Sequence, residues 1–103
     1  MKYGILMHEK DDDVGVAVMD LTAGSEIGAA TLEGKDAGSL VVKQDIPLGH
    51  KVAMRDLALG KDVIEYGRGI GFTVAPIAAG EHVHVHNIKS LRWAASKSRI
   101  FEN

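Results

Sequence analysis

Short apolar runs alternate with glycine- and aspartate-rich breaks along the chain, a pattern typical of β-strands joined by tight turns. The apolar runs at residues 3–7 and 14–19 are separated by a charged stretch, residues 8–13. This arrangement predicts a hairpin with a charged tip. Because charge runs usually face solvent, we interpret the tip as a solvated loop. The alternative is that one of its carboxylates reaches a functional site, and Asp13 is best placed for this because it adjoins the second run.

Four eight-residue segments share one template, in which an aliphatic residue follows an aspartate, a glycine comes fifth and a β-branched aliphatic residue comes eighth. They occupy residues 20–27, 45–52, 56–63 and, without the aspartate, 76–83. We expect the aspartate to bond amides at the start of a turn and the aliphatic residue to anchor that turn in the core. The glycine supplies the positive φ that reverses the chain. Four such corners predict a mainly all-β, compact fold of short bent strands with little helix.

The fourth corner leads into residues 80–87, where His82, His84 and His86 occupy alternate positions. In an extended strand these three side chains share one face, and the valines between them share the other. Same-face neighbours lie about 6.5–7 Å apart, a span that two imidazoles can close around a metal ion or an anionic substrate group. The stretch therefore predicts a half-buried strand that presents imidazoles to a site.

Two further stretches are interpreted structurally. The glycines at positions 67, 69 and 71 lack the spacing of a phosphate-binding loop, and no helix pattern follows them, so they indicate a sharp turn between strands.

Residues 88–103 hold four basic residues, one acidic residue and Trp93. Because tryptophan and arginine are favoured in interface cores, we expect a domain at 1–88 and a basic docking arm at 89–103. A frayed terminus and a terminal strand are the alternatives.

Composition narrows the class of protein. The 103 residues are 46% hydrophobic and 25% charged, which fits one globular domain. The absence of cysteine excludes disulfides and thiolate chemistry, so a metal would need histidine or carboxylate ligands. A net charge of −2 argues against a nucleic-acid partner. Without an apolar run long enough for a signal peptide or a membrane span, a cytoplasmic location and no membrane partner are expected.

Four short motifs stand in a specific order: Gly49-His50-Lys51, Arg55-Asp56-Leu57, Tyr66-Gly67 and Val83-His84-Val85-His86-Asn87. Together they resemble the small N-terminal domain of the altronate and galactarate dehydratase family, which includes the small subunit of sulfolactate sulfo-lyase. The resemblance covers nearly the whole chain and implies a β-clip domain of the SAF type. It also implies a large lyase subunit as a separate chain, a small acidic substrate that loses water or sulfite, and a divalent metal such as iron. Formation of a homo-oligomer is left open.

Carried over position by position, the resemblance implies a set of site residues. The histidines of its motifs fall at His84, His86 and His50, and these are the expected catalytic residues. His84 and His86 are also the expected metal ligands. Asn87 and Lys51 are expected to bind substrate. His82 falls outside the fixed positions of the motif and is expected to be peripheral.

Elimination of a group β to a carboxylate needs a base for the α-proton, an acid for the leaving group, and positive charge for the carboxylate and the enediolate. Neutral histidine serves as a proton donor or acceptor near neutral pH, which suits this chemistry. Arg55 is a candidate for binding the substrate carboxylate through two parallel hydrogen bonds, against the alternative of a surface ion pair.

Three functional hypotheses follow. The first is an accessory lyase subunit that contributes His84, His86 and His50 to a site shared with a large subunit. The second is a structural or substrate-binding module whose histidines face only solvent or a partner. The third is a freestanding β domain that binds a metal or another ligand. Only the first predicts that the isolated chain is inactive and that activity with the large subunit depends on the histidines.

Overall fold

The chain folds into short strands and turns. The computed structural model describes residues 3–84 and 86–90, in which it contains nine strands and no helix. The strands are β1 (Tyr3–Met7), β2 (Val14–Ala17), β3 (Glu26–Thr31), β4 (Asp36–Val41), β5 (Lys51–Ala53), β6 (Asp62–Glu65), β7 (Arg68–Thr73), β8 (His82–Val83) and β9 (Ile88–Ser90). The predicted all-β class is confirmed. Across these described ranges, no helix is long and apolar enough to cross a membrane.

The strands form two sheets. One has six strands in the order β4-β3-β1-β2-β5-β8, and the other has three in the order β6-β7-β9. Strands β1 and β3 run parallel, and the other paired strands are antiparallel. The predicted hairpin is confirmed, because β1 pairs with β2 and places Ile5 opposite Ala17. Strand β2 ends at Ala17 rather than at Met19, and both Val18 and Met19 are exposed.

The four glycine corners pair two by two. A β-bridge joins Leu21 of the first corner to Ile46 of the second, and another joins Leu57 of the third to Ile77 of the fourth. All four side chains are buried, the first pair in one hydrophobic cluster and the second pair in another. The prediction that the aliphatic residue anchors each corner in the core is confirmed. Each of the two clusters therefore contains its own pair of corners.

The corner aspartates bond the partner corner, not their own turn. Asp20 accepts a hydrogen bond from the Leu48 amide at 2.9 Å, and Asp45 accepts one from the Ala23 amide at 2.9 Å. Asp56 does the same toward the fourth corner. The expected local bond is therefore wrong. Because paired corners meet edge to edge, the open amide nearest to each aspartate belongs to its partner.

The charged loop between β1 and β2 also differs from expectation. Asp12 and Asp13 are only 1% and 4% exposed, whereas Asp11 is exposed. The Asp12 carboxylate accepts hydrogen bonds from the amides of Tyr66 and Gly67, at 2.9 and 3.2 Å, in the turn between β6 and β7. Backbone amides need acceptors, and this turn brings two of them to the Asp12 carboxylate. Burial in the fold thus overrides the tendency of a charge run to face solvent.

Strand β9 crosses the expected boundary between residues 88 and 89. It pairs with β7, with Ile88 opposite Thr73. The remainder of the predicted docking arm, residues 91–103 with Trp93, lies outside the described residues. Its docking role therefore stays a prediction.

The hydrogen bonds of Asp12 lead to a stability prediction. Its carboxylate accepts from three backbone amides, those of Glu9, Tyr66 and Gly67. Because a hydrogen bond to a charged group contributes about 1.5–3 kcal/mol, and the bonds from the Glu9 and Gly67 amides are long at 3.3 and 3.2 Å, Asp12→Ala should lower the free energy of unfolding by roughly 2–4 kcal/mol. Urea denaturation measures this change. The matched control, Asp11→Ala in the same loop, should change it by less than about 0.5 kcal/mol. Equal effects would contradict the role given to Asp12.

The corner geometry leads to a second stability prediction. Gly80 and Gly60 have φ values of 90° and 79°, in the left-handed region. A Cβ at Gly80 would overlap the carbonyl oxygen of Val41, whereas a Cβ at Gly60 would have no atom within 4 Å. Both alanine variants carry the left-handed cost of about 1–2 kcal/mol, and overpacking adds at least about 1 kcal/mol to Gly80→Ala alone. In thermal unfolding, the melting temperature of Gly80→Ala should be clearly lower than that of Gly60→Ala. Similar melting temperatures would contradict the close packing of Gly80 against Val41.

Candidate functional site

The histidine stretch begins as a strand but continues as a turn. Strand β8 contains only His82 and Val83, so the expected strand through residue 86 is wrong. The Asn87 side chain closes the turn: its Oδ1 accepts from the His84 amide at 2.9 Å, and its Nδ2 donates to the His82 carbonyl at 2.7 Å. The Ile88 amide also donates to the His84 carbonyl. Asn87 is buried, and both ends of its amide bond the backbone of the histidine turn, while its expected substrate contact stays a prediction.

Four imidazoles nevertheless converge. Strand β5 pairs with β8, which brings His50, the residue before β5, beside the histidine turn. Ring centroids lie 5.0 Å apart for His50 and His82, 5.2 Å for His50 and His84, and 5.3 Å for His82 and His84. His86 lies 5.6 Å from His82 and 6.5 Å from His84. We call these four residues the histidine cluster. His82, expected at the periphery, is at its centre.

The His50–His82 contact has a defined chemistry. His50 Nδ1 lies 2.9 Å from His82 Nε2, within hydrogen-bond distance. A bond between two neutral imidazoles needs one ring to donate and the other to accept. The donor ring then has an unprotonated nitrogen on its far side, and the acceptor ring has an N–H on its far side. The pair therefore offers one base and one proton donor, coupled through the bond between them.

Burial and neighbouring charge keep His82 neutral. Desolvation of the ring lowers the pKa of His82, and the adjacent imidazoles of His50, His84 and His86 lower it further. A protonated His82 would lose hydration and would repel any second imidazolium in the cluster. At neutral pH, His82 is therefore neutral and able to form the hydrogen bond with His50.

A pocket of about 370 Å³ opens beside the cluster. Its lining residues are Gly49, His50, Lys51, Ile70, Val83, His84 and Ile88. Apolar walls with a few polar groups are typical of small-molecule sites. Lys51 supplies the cation, and its Nζ lies 3.4 Å from Oε1 of Glu65, whose side chain is buried. The sequence did not single out Glu65. Its position two residues after Val63, on the same face of strand β6, could have indicated a buried carboxylate that needs a cationic partner.

Two expected substrate ligands lie elsewhere. Asp13 is buried, and its carboxylate accepts from the Ile64 amide and pairs with Lys61 Nζ, both at 2.8 Å. Arg55 donates to the Asp12 carbonyl at 2.9 Å and lies 3.6 Å from Asp13 Oδ1. Neither residue lines the histidine pocket. In this chain both residues join neighbouring segments of the fold, and their expected contacts with a substrate stay predictions.

A metal was expected at His84 and His86. The described residues contain no group of three or more histidine, aspartate or glutamate side chains that could hold an ion. Zinc sites take at least three protein ligands, so this part of the chain does not fit a complete metal site. The metal stays a prediction that needs ligands from another source.

Comparison with known proteins identifies the family. The protein-family model described as "Altronate/galactarate dehydratase SAF domain" matches residues 2–91 of the chain. The chain is 43% identical over 94 residues to "(2R)-sulfolactate sulfo-lyase subunit alpha" of Chromohalobacter salexigens, covering 90% of this chain and 100% of the relative. It is 50% identical over 54 residues to the subunit of the same name from Paracoccus pantotrophus, which covers 52% of this chain and 81% of that subunit.

The altronate dehydratase of Escherichia coli is 43% identical over 79 residues, 77% of this chain, but only 15% of that enzyme's length is matched. The resemblance inferred from the four motifs is therefore confirmed. By its sequence and its all-β fold, the chain belongs to the altronate/galactarate dehydratase SAF domain family.

Proposed function

We propose that this chain is the small subunit of a two-component lyase and that its histidine cluster forms part of a site completed by a large subunit. The observation that carries the proposal is the convergence of His50, His82 and His84, two of which, His50 and His84, line one pocket. The pocket size lies within the range of about 300–1,000 Å³ for small-molecule sites. The match to a sulfo-lyase alpha subunit over its full length supports a small-subunit role and makes sulfolactate the first acid to test. Altronate is the second.

The proposed chemistry uses groups on this chain for proton transfer. The His50–His82 pair takes the α-proton at the unprotonated nitrogen of its donor ring. His84, which also lines the pocket, donates a proton to the leaving group. Lys51 stabilises the carboxylate and the enediolate that forms when the α-proton leaves, and Glu65 holds its ammonium in place. No step is assigned to a metal.

The proposed site is shared because the cluster is partly exposed. His84 and His86 are exposed in this chain, and elimination benefits from a site that excludes water. Covering by a second chain would supply that exclusion. The same exposure favours the alternative function, a structural or substrate-binding module in which the large subunit performs all the chemistry. Substitution of His84 separates the two.

We expect His84→Gln to reduce the kcat of the reconstituted two-subunit enzyme by about 10²–10⁴-fold, because general acid–base groups contribute roughly this factor. Steady-state kinetics with sulfolactate and with altronate measure the change. Glu33→Gln, in the exposed turn between β3 and β4, is the control and should leave kcat unchanged. Thermal unfolding verifies that both variants fold. Full turnover in His84→Gln would sink the shared-site proposal and support the structural module.

The lowered pKa of His82 predicts how stability varies with pH. Above the ordinary histidine pKa of about 6.5, His82 is neutral in the folded and unfolded chains. As pH falls below that value, the unfolded chain takes up a proton before folded His82 does, so the free energy of unfolding decreases. The decrease ends once pH is below the folded-state pKa. Urea denaturation from about pH 7.5 to about pH 5 should show a shallower decrease in His82→Gln than in wild type. An unchanged slope would contradict the neutral His82.

A further inference from the structure

A second hollow lies beside the histidine pocket. It has a volume of about 510 Å³ and is lined by Glu65, Tyr66, Arg68, Gly69 and Ile70. Ile70 lines both hollows, and Glu65 pairs with Lys51 of the histidine pocket. The two hollows therefore share Ile70 as a wall residue, and the Lys51–Glu65 ion pair links their linings.

The turn at the rim of this hollow is strained. Tyr66 and Gly67 form the two-residue turn between β6 and β7, with φ values of 61° and 69°. Such turns need positive φ at both central residues and normally take Asn-Gly or Asp-Gly. A tyrosine there is strained, since its Cβ crowds the backbone. The buried Asp12 carboxylate bonds both amides of the turn and so helps to hold this conformation.

The strained turn displays a polar aromatic side chain on the surface. Tyr66 is 55% exposed, and His8 stacks on its ring. An exposed tyrosine contributes little to the core, so core packing does not explain why this backbone is held here. Non-glycine residues held in the left-handed region cluster at binding sites, and such an outlier supports a functional hypothesis. The phenol offers one hydrogen-bond donor to a ligand in the hollow.

Arg68 supplies the charge. Within residues 3–84 and 86–90, its guanidinium forms no ion pair, whereas the Glu65 carboxylate beside it is paired with Lys51. Arg55, the arginine expected to bind substrate, is engaged by Asp13 instead. A guanidinium offers a planar fork that matches a carboxylate or sulfonate with two parallel bonds. Arg68 is therefore better placed than Arg55 to bind an anion.

We propose that Arg68 and Tyr66 form an oxyanion subsite that binds an anionic group of the acid substrate while the histidine cluster acts on its reacting carbons. The inference rests on the proposed function and deepens it by assigning the group that orients the acid. The bound group is a carboxylate or a sulfonate. Both present two oxygens on one atom, which can accept two parallel hydrogen bonds from arginine. Because Ile70 lines both hollows, an acid held at Arg68 would extend from this hollow toward the histidine pocket.

The test uses the complex of the full chain with its large subunit. Calorimetry measures the dissociation constants of sulfolactate, which has both anionic groups, and of altronate, which has only the carboxylate. Because a hydrogen bond to a charged partner is worth about 1.5–3 kcal/mol, Arg68→Gln should weaken binding by at least about tenfold. Arg68→Lys keeps the charge but loses the fork, so it should be intermediate, and Tyr66→Phe should weaken binding less than Arg68→Gln. Lys35→Gln removes the same charge from an exposed turn and is the control.

The outcomes separate the inference from the proposed function. Weaker binding of both acids by Arg68→Gln assigns the carboxylate to the subsite, and weaker binding of sulfolactate alone assigns the sulfonate. Unchanged dissociation constants for both acids would overturn the subsite, even if turnover depends on His84. If neither acid is turned over by the wild-type complex, the proposed function fails, but an arginine-dependent dissociation constant would still support the subsite. In kinetics, the subsite predicts a larger effect of Arg68→Gln on KM than on kcat.

Discussion

The domain depends on the pairing of its glycine corners. Each corner reverses the chain, and in the first, second and fourth corners an aspartate of the partner corner accepts a hydrogen bond from one of the amides. The second corner leads into β5 and the fourth leads into β8, and these two strands pair. The Gly80 amide of the fourth corner also donates to the Ala53 carbonyl at the end of β5, at 2.8 Å. The corners thus set the register that places His50 beside His82.

The buried carboxylates after β1 provide a second constraint. Asp12 holds the turn between β6 and β7, and Asp13 bonds strand β6 through both its carboxylate and its own amide. The three-stranded sheet is therefore tied to the six-stranded sheet at a point close to the candidate site. That connection brings Ile70 of β7 into the wall of the histidine pocket and Arg68 beside it. The same two residues that stabilise the fold also assemble the site.

The sequence was informative where the structure is local. Alternating apolar runs predicted the hairpin of β1 and β2, and the recurring glycine template predicted four core-anchored corners. The alternation of valine and histidine predicted a long strand and was misleading. Periodicity takes no account of the Asn87 side chain. Its amide forms hydrogen bonds with the backbone of residues 82 and 84 and so stabilises a turn in place of the strand. The rule that charge runs face solvent likewise predicted a solvated acidic loop. That rule does not include the amides of residues 66 and 67, which are distant in sequence and donate to Asp12.

The site residues divide in the same way. The motifs around His50, Lys51 and His84 identified side chains that do line one pocket. The central position of His82 follows from the register between β5 and β8, which no single stretch of sequence reveals. For Arg55, a substrate carboxylate and an ion pair within the chain were the two alternatives. Its actual partner, Asp13, is far away in the sequence, and only the folded chain brings the two together.

The central claim is that the histidine cluster takes part in the chemistry of a lyase site shared with a second chain. Its most direct test is a long-range ¹H–¹⁵N spectrum of the histidine rings in the complex with the large subunit, recorded before and after sulfolactate is added. If the cluster acts as proposed, the ring nitrogens of His50, His82 and His84 change their ¹⁵N chemical shifts when the acid binds, because the base and the proton donor then contact the acid. Unchanged shifts of all three during turnover would contradict it.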